Sequence, residues 1–340
     1  MNILIVKLSS LGDVVHTMPA VQDIRHALPG AQIDWVVERS FAALAQRCDG
    51  VRNVIACDIR AWTKSWTRSE TRAAWARFKA QLQSQAYDAV IDCQGLTKSA
   101  IVARCARLSA NGKRYAMANR TDGSAYEAPT RWLADVAVPL APHIHAVERT
   151  RHLCALTLGY TVPAAYVWNF GLKAAETHIN NAQAAPKTVA FIHGTSRADK
   201  CWEETRWVSL GQRLAAQGYQ LALLHGSADE EVRSQRIAQA LGGQASGLAQ
   251  VWPRLPLDAL TDRLAACAGA IGVDSGLSHI AVALHLPHVQ IYNFDTAWRT
   301  GPVVLADGVT RQISVFAKLQ PSVDQVWTAW QQVNQAQVTK

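Results

Sequence analysis

Short apolar, β-branched runs recur along the chain, with helix-length stretches between them. In the first half they are Ile3–Val6, Ile33–Val37, Val54–Ala56 and Ala89–Ile91. After an irregular stretch from Asn169 to Lys187, rich in Ala and Asn, the pattern restarts with Thr188–Ile192, Leu221–Leu224, Ala270–Val273 and Val289–Tyr292. Strands alternating with helices predict an α/β protein with two successive parallel sheets. Near the end, Val323, Val326, Trp327, Trp330 and Val333 share one helical face, which predicts a closing helix. The expected division is a first domain over 1–168, a second over 186–316, and a helix over 317–340 that packs back across the domain boundary.

Length agrees with this division, because 340 residues exceed the size at which one core stops growing. With 49% hydrophobic and 18% charged residues the composition is globular, not disordered or fibrous. The longest apolar run, Leu264–Val273, stops at Asp274 after ten residues, short of the ~20 that a helical membrane span requires. The opening run meets Lys7 at once and has no small-residue cleavage site, which predicts a first strand rather than a signal peptide, and a cytoplasmic protein. Seven scattered cysteines without a Cys-x-x-Cys pair predict free thiols in a reducing compartment. The formal charge of +8 points to an anionic partner, whether nucleic acid, phosphate-bearing substrate or acidic membrane.

Arg60, Lys64, Arg68 and Arg72 stand four residues apart, with Trp62, Trp66 and Trp75 interleaved. On a continuous helix the four cations form one stripe. It reads either as a solvated helix face or as an anion-binding, membrane-facing edge with interfacial tryptophans. No recognised nucleic-acid module surrounds it, which disfavours nucleic acid.

The first strand runs into Lys7-Leu8-Ser9-Ser10-Leu11-Gly12-Asp13 and then a helical pattern. Open α/β sheets bind ligands at the carboxyl ends of their strands, so Ser9, Ser10, Gly12 and Asp13 fall where a substrate sits. A Gly-x-Gly-x-x-Gly fingerprint is absent, which argues against a dinucleotide cofactor. Asp13 reads either as a helix N-cap or as a general base for an acceptor hydroxyl. In the second half, Thr195, Ser196 and Lys200 lie in a loop of hydroxyl, small and basic residues that suits a phosphate. Glu230, past the next strand, either grips ribose hydroxyls or complements a helix dipole. Ile271 to His279 turns through Asp274-Ser275-Gly276 into an Ala-rich helix whose first amides form an anion site. His279 is either a satisfied helix histidine or a ligand group. No carboxylate or histidine cluster has metal-ligand spacing, so no metal is expected.

Taken together, Lys7–Pro19, Asp34–Glu38, Tyr87–Leu96, His145–Arg149 and Asp274–His279 resemble the lipopolysaccharide heptosyltransferases of glycosyltransferase family 9, over most of the chain. The resemblance implies a GT-B fold, two Rossmann-like domains facing across a cleft. It implies inverting transfer of L-glycero-D-manno-heptose from ADP-heptose to the Kdo residue of Kdo2-lipid A, with no cofactor beyond that donor substrate. The implied place of work is the cytoplasmic face of the inner membrane, in peripheral contact with its anionic surface. Asp13 matches the family's catalytic aspartate. Thr195, Ser196 and Lys200 match the donor diphosphate positions, where Lys200 stabilises the departing ADP. Glu230 resembles the ribose contact, and Asp274, Ser275, Gly276 and His279 the loop for donor sugar and phosphate. Arg60, Lys64 and Arg120, with Ser9, Ser10 and Gly12, would meet the acceptor. Ser196 and Ser275 stand where threonine is common, His225 where an aromatic often precedes the glycine, and 292–297 lacks a Gly-Pro-Thr-type loop. A GT-B transferase with another donor or acceptor, and a non-catalytic nucleotide-binding protein at the membrane, remain as alternatives.

Overall fold

The computed structural model describes residues 1–163, 168–174, 187–243, 246–302 and 311–335. The chain forms two compact units, Met1–Ala164 with Asn169–Lys173, and Ala165–Trp168 with Ala174–Lys340.

In the first unit, β1 (Asn2–Val6), β2 (Gln32–Glu38), β3 (Val51–Cys57), β4 (Tyr87–Asp92), β5 (Leu108–Met117) and β6 (Val136–Val138) form one sheet. Its order is β3-β2-β1-β4-β5-β6, and every pairing is parallel. Ile3, Leu4, Ile5 and Val6 are wholly buried because helices cover both faces, which is why β1 reads as an unbroken apolar run. The chain builds outward from β1 to β3 and then returns to place β4 on the other side of β1. The loops after β1 and β4 therefore diverge at a topological switch point, the crevice where open sheets bind ligands.

The helices of this unit are α1 (Leu11–Ala27), α2 (Arg39–Gln46), α3 (Ile59–Trp62), α4 (Ser69–Leu82), α5 (Thr97–Cys105), α6 (Pro129–Leu133) and α7 (Ala146–Leu158). The expected single stripe of four cations is broken: Arg60 lies on α3, Lys64 in the turn that follows, Arg68 just before α4, and Arg72 within it. The tryptophans cause the break. Trp62 packs against Trp75 with ring centroids 5.8 Å apart and Trp66 against Trp75 at 5.7 Å, folding the chain back on itself. Trp62 is consequently buried, not interfacial.

The second unit repeats the plan. Strands β7 (Thr188–Ile192), β8 (Gln220–Leu223), β9 (Ala249–Val251), β10 (Gly269–Val273), β11 (His288–Tyr292) and β12 (Gln312–Phe316) take the order β12-β11-β10-β7-β8-β9, again all parallel. The switch point lies between β7 and β10. Around this sheet lie α8 (Glu204–Ala216), α9 (Ala228–Ala240), α10 (Leu257–Ala265), α11 (Gly276–Ala283), α12 (Ala297–Thr300) and α13 (Val323–Gln335).

The closing helix α13 was expected to cross the domain boundary, but its apolar face belongs to its own unit. Val326, Ala329, Trp330 and Val333 join that unit's core, and the helix packs on β11, β12 and α8. Gly269 makes the fit possible, since a Cβ there would lie 2.8 Å from the Trp330 ring. The sequence pattern also left out β5, β6, β9 and β12, which lie toward the sheet edges and carry polar or very short runs. All seven cysteines are free thiols. Among the described residues no helix is long and apolar enough to cross a membrane, and no group of three or more His, Cys, Asp or Glu side chains could hold a metal ion.

Candidate active site

At the first switch point, β1 delivers Lys7 to the floor of the crevice. Its side chain is 2% exposed, and Nζ donates to the Cys93 carbonyl after β4 at 3.0 Å while standing 3.4 Å from Asp13 Oδ1. The backbone N–H groups of Leu8 and Ser9 both donate to Gln94 Oε1, at 3.1 Å each, so one buried glutamine after β4 fixes the loop after β1. Asp92, at the end of β4, accepts from the N–H groups of Gln94 and Gly95 and from Ser99 Oγ. Burial nevertheless pushes its carboxyl up to about 6.

Asp13 is not the N-cap of α1. Ser10 takes that place and Asp13 is the third helical residue of a capping box, its Oδ2 accepting from the Ser10 N–H at 3.1 Å and Ser10 Oγ at 3.0 Å. The other oxygen, Oδ1, faces Lys7 and also Arg149 Nη2 of α7, 3.6 Å away. Burial alone would raise this carboxyl, but Lys7, Arg149 and the Ser10 hydrogen bonds outweigh it and bring it down to about 2. About a third of the Asp13 side chain, 35%, remains open to solvent. The Lys7 ammonium is itself held below its ordinary value by burial.

Around this core Ser9 is buried, Ser10 exposed and Gly12 half-buried in the first turn of α1. Arg149 Nη1 donates to Thr121 Oγ1 at 3.3 Å, and the adjoining Arg120 is exposed, with Nε donating to the Ser124 carbonyl. Arg60 is brought to the same end of the sheet through its backbone, its N–H donating to Glu38 Oε1 at 3.2 Å, while the Glu38 N–H donates to the Leu8 carbonyl. Lys64 is exposed in the turn beyond. Lys7, Gln94 and Arg149 were not singled out as site residues from sequence. The signal for Lys7 is a lysine ending an apolar strand; Arg149 lies 136 positions from Asp13, and nothing local joins them.

At the second switch point, β10 ends in Asp274, 7% exposed. Lys200 Nζ donates to its Oδ2 at 2.5 Å, and His279 Nε2 and Thr300 Oγ1 stand 3.5 Å from its Oδ1. Burial opposes its charge, but hydrogen bonding and charge from His279 and Lys200 prevail, and the carboxyl lies well below the usual carboxylate range. Thr195 Oγ1 donates to the Asp274 carbonyl at 3.3 Å. Ser275 is the N-cap of α11 and Gly276 its first residue; Ser275 Oγ is buried without a hydrogen-bond partner. Ser196 is exposed in the loop after β7. Asn293, also missed from sequence, pins the Lys200 segment by donating from Nδ2 to the carbonyls of Asp199 and Cys201, at 3.0 Å each.

Glu230 has the helix-start role that the sequence offered as one of its two readings. It lies in the first turn of α9, where its N–H donates to the Ser227 cap, and its Oε2 reaches back to the Gly226 N–H at 2.6 Å. It also lies against the loop after β7, because a Cβ on Gly194 would be 2.5 Å from its carboxyl group. Asp13, Thr195, Ser196, Lys200 and Asp274–His279 thus follow the central strands β1, β7 and β10, whereas Arg60 and Lys64 follow edge strand β3, Arg120 follows β5 and Glu230 follows β8.

Comparison with known proteins gives a consistent picture. The sequence model of glycosyltransferase family 9 (heptosyltransferase) matches residues 75–324. Lipopolysaccharide heptosyltransferase 1 of Pseudomonas aeruginosa is 38% identical over 298 residues, 86% of this chain and 78% of that protein. The Escherichia coli protein of the same name is 38% identical over 294 residues, 86% of this chain and 88% of its own. A solved structure described as E. coli heptosyltransferase WaaC with ADP superposes with a TM-score of 0.82 at 33% identity, covering 99% of this chain and 100% of the other. Another, of that enzyme with ADP-2-deoxy-2-fluoro heptose, has a TM-score of 0.74 at 36% identity over 85% of this chain and 88% of the other.

Proposed function

The chain belongs to glycosyltransferase family 9, the heptosyltransferase family, and on that premise we propose that it transfers L-glycero-D-manno-heptose from ADP-heptose to the Kdo residue of Kdo2-lipid A in lipopolysaccharide core biosynthesis. It is a glycosyltransferase with a GT-B-type arrangement of two Rossmann-like units. The observation that carries the reading is Asp13: a carboxylate at the first switch point with one oxygen tied to the helix cap and the other facing two cations, in a side chain that is about one-third exposed, 35%.

The acceptor hydroxyl oxygen bonds to the anomeric carbon as the bond from that carbon to the β-phosphate oxygen breaks, in one displacement that inverts the centre. The hydroxyl proton passes to Asp13 Oδ1 and the electron pair leaves with ADP. A carboxylate with a pKa of about 2 is a weak base, but the hydroxyl becomes strongly acidic once its oxygen has begun to bond to carbon, so late transfer to an ionised Asp13 is downhill. Arg120, Arg60 and Lys64 meet acceptor carboxylates and phosphates, beside Ser9, Ser10 and Gly12. In the second unit Lys200, Thr195, Ser196 and the first amides of α11 take the diphosphate, and Glu230 the ribose. A bare carboxylate against a diphosphate would repel it, so Asp274 acts by holding Lys200 and His279 in place. A lipid-linked acceptor and a nucleotide-activated donor together support peripheral work at the cytoplasmic face of the inner membrane.

The test is transfer by purified protein from ADP-heptose to Kdo2-lipid A, followed by mass spectrometry, with Asp13→Asn alongside. Wild-type transfer reduced on the order of 10²–10⁴-fold in a folded variant is expected. Equal transfer by both would remove Asp13 as the base, and no transfer by the wild type would overturn the donor and acceptor.

A further inference from the structure

One face of the first unit's sheet is covered by α3, α4, α5 and α6. Trp62, Phe78 and Leu82 of α3 and α4 share a core with Val102 and Ala103 of α5, and Gln83 Nε2 after α4 donates to the Cys105 carbonyl at 2.9 Å. α6 packs beside α5. Two links fix that neighbourhood: the Thr97 N–H donates to Glu127 Oε2 at 2.8 Å, and Arg104 Nη1 stands 3.6 Å from Asp135 Oδ1.

The outer surface of this layer has an unusual make-up. Residues 59–82, 97–105 and 129–133 together carry nine lysines and arginines against a single carboxylate, Glu70, whereas the whole chain has 34 against 26. Amid these cations, apolar side chains face solvent. Trp132 of α6 is 68% exposed and Ile101 of α5 is 47% exposed. The Arg131 guanidinium lies over the Trp132 ring, 5.2 Å from its centroid, and Arg104 follows Ile101 by one helical turn. Neither apolar side chain contributes to the core, and neither is used by the mechanism.

We propose that this face docks on an anionic phospholipid bilayer, with Trp132 and Ile101 entering the headgroup region and the surrounding lysines and arginines meeting lipid phosphates. The inference rests on the reading that the acceptor is anchored in lipid, and it names the surface that brings the enzyme to it. Isolated apolar side chains among cations suit a fluid anionic surface, which supplies hydrophobic depth and negative potential without shape complementarity. An indole belongs at such a boundary because its ring is apolar and its N–H is polar. Of the stripe's tryptophans Trp62 is buried and Trp75 half-buried, while Trp66 packs on Trp75 and is 48% exposed, so Trp132 on α6 is the most exposed indole of this layer and, with Ile101 on α5, marks the insertion point.

The experiment is co-sedimentation of the full chain with vesicles of phosphatidylcholine, with and without phosphatidylglycerol, for the wild type, the pair Ile101→Ser with Trp132→Ser, and Leu156→Ser. Leu156 is 60% exposed on α7, which packs with α1 instead of this layer. The wild type is expected to bind only vesicles containing phosphatidylglycerol and to be released by salt, with partitioning lowered roughly tenfold in the double variant and unchanged in Leu156→Ser. Double-variant binding equal to wild type, equal binding without phosphatidylglycerol, or preferential binding of duplex DNA would overturn the proposal. Transfer to a deacylated, water-soluble acceptor separates it from the catalytic reading. The double variant is expected to retain that transfer, and a wild type inactive on it that still binds vesicles would sink the assigned reaction alone.

Discussion

Each unit places an ionised aspartate at its switch point, but on opposite sides of that point and in different surroundings. Asp13 lies in the first turn of α1, after β1, and Asp274 follows β10, the counterpart of β4; both have a lysine beside them, and both carboxyls are held ionised. Asp274, however, is 7% exposed, with Lys200 on one oxygen and His279 and Thr300 near the other. Asp13 is 35% exposed, its cations stand 3.4 and 3.6 Å away, and its Oδ2 accepts hydrogen bonds from the Ser10 cap. A carboxylate with both oxygens engaged suits a scaffold for neighbouring groups; a carboxylate in a partly exposed side chain suits the base role proposed for Asp13.

The sharpest way to break the comparison is on the cations. Lys200→Met should lower kcat on the order of 10²–10³-fold if Lys200 has the proposed role of stabilising the leaving diphosphate; single-turnover rates check this. Asp274→Asn should cost about 10²-fold, shared between a higher donor KM and a lower kcat, because Lys200 and His279 lose their fixed positions. A pure kcat effect would give Asp274 the role proposed for Asp13 and erase the distinction.

Lys7→Met should lower kcat by about tenfold while moving the acid limb of the kcat/KM profile to higher pH. Asp13 is depressed to about 2 partly by Lys7, so losing that charge lets the carboxyl protonate sooner. A rate loss with no movement of the limb would make Lys7 a packing residue.

A separate effect, on stability and not on turnover, is expected at Asp92. Burial raises its carboxyl to about 6 in the folded protein, above the reference value of 3.8. Between these values the native state holds a proton that the unfolded chain has lost, so stability falls as pH rises through that window. Asp92→Asn removes the titration, and the stability of wild type relative to variant should fall by ~1–3 kcal/mol from pH 4 to pH 7 in urea melts. A difference independent of pH would show Asp92 to be compensated by its three hydrogen bonds.

Much of this was legible without coordinates. Ile3–Val6 and Ala270–Val273 declare themselves because central parallel strands are apolar on both faces, and the segments after them follow by adjacency. β5 was not legible, because Ser109, Asn111, Lys113 and Arg114 break its apolar run. The cation stripe misled for a different reason: spacing by four describes a helix only where the chain is helical, and packing among Trp62, Trp66 and Trp75 turned it into two.

The sequence by itself determined the α/β alternation, the two sheets, the Asp13 and Asp274 turns and the cationic excess, since each is written in neighbouring residues. Only the tertiary structure decided that Arg149 and Lys7 share Asp13, that Gln94 fixes the loop after β1, that α13 closes its own unit, and that Trp132 and Ile101 stand out beside α5 and α6. Those depend on contacts between distant segments and on what remains exposed once every core is filled, and local pattern carries neither.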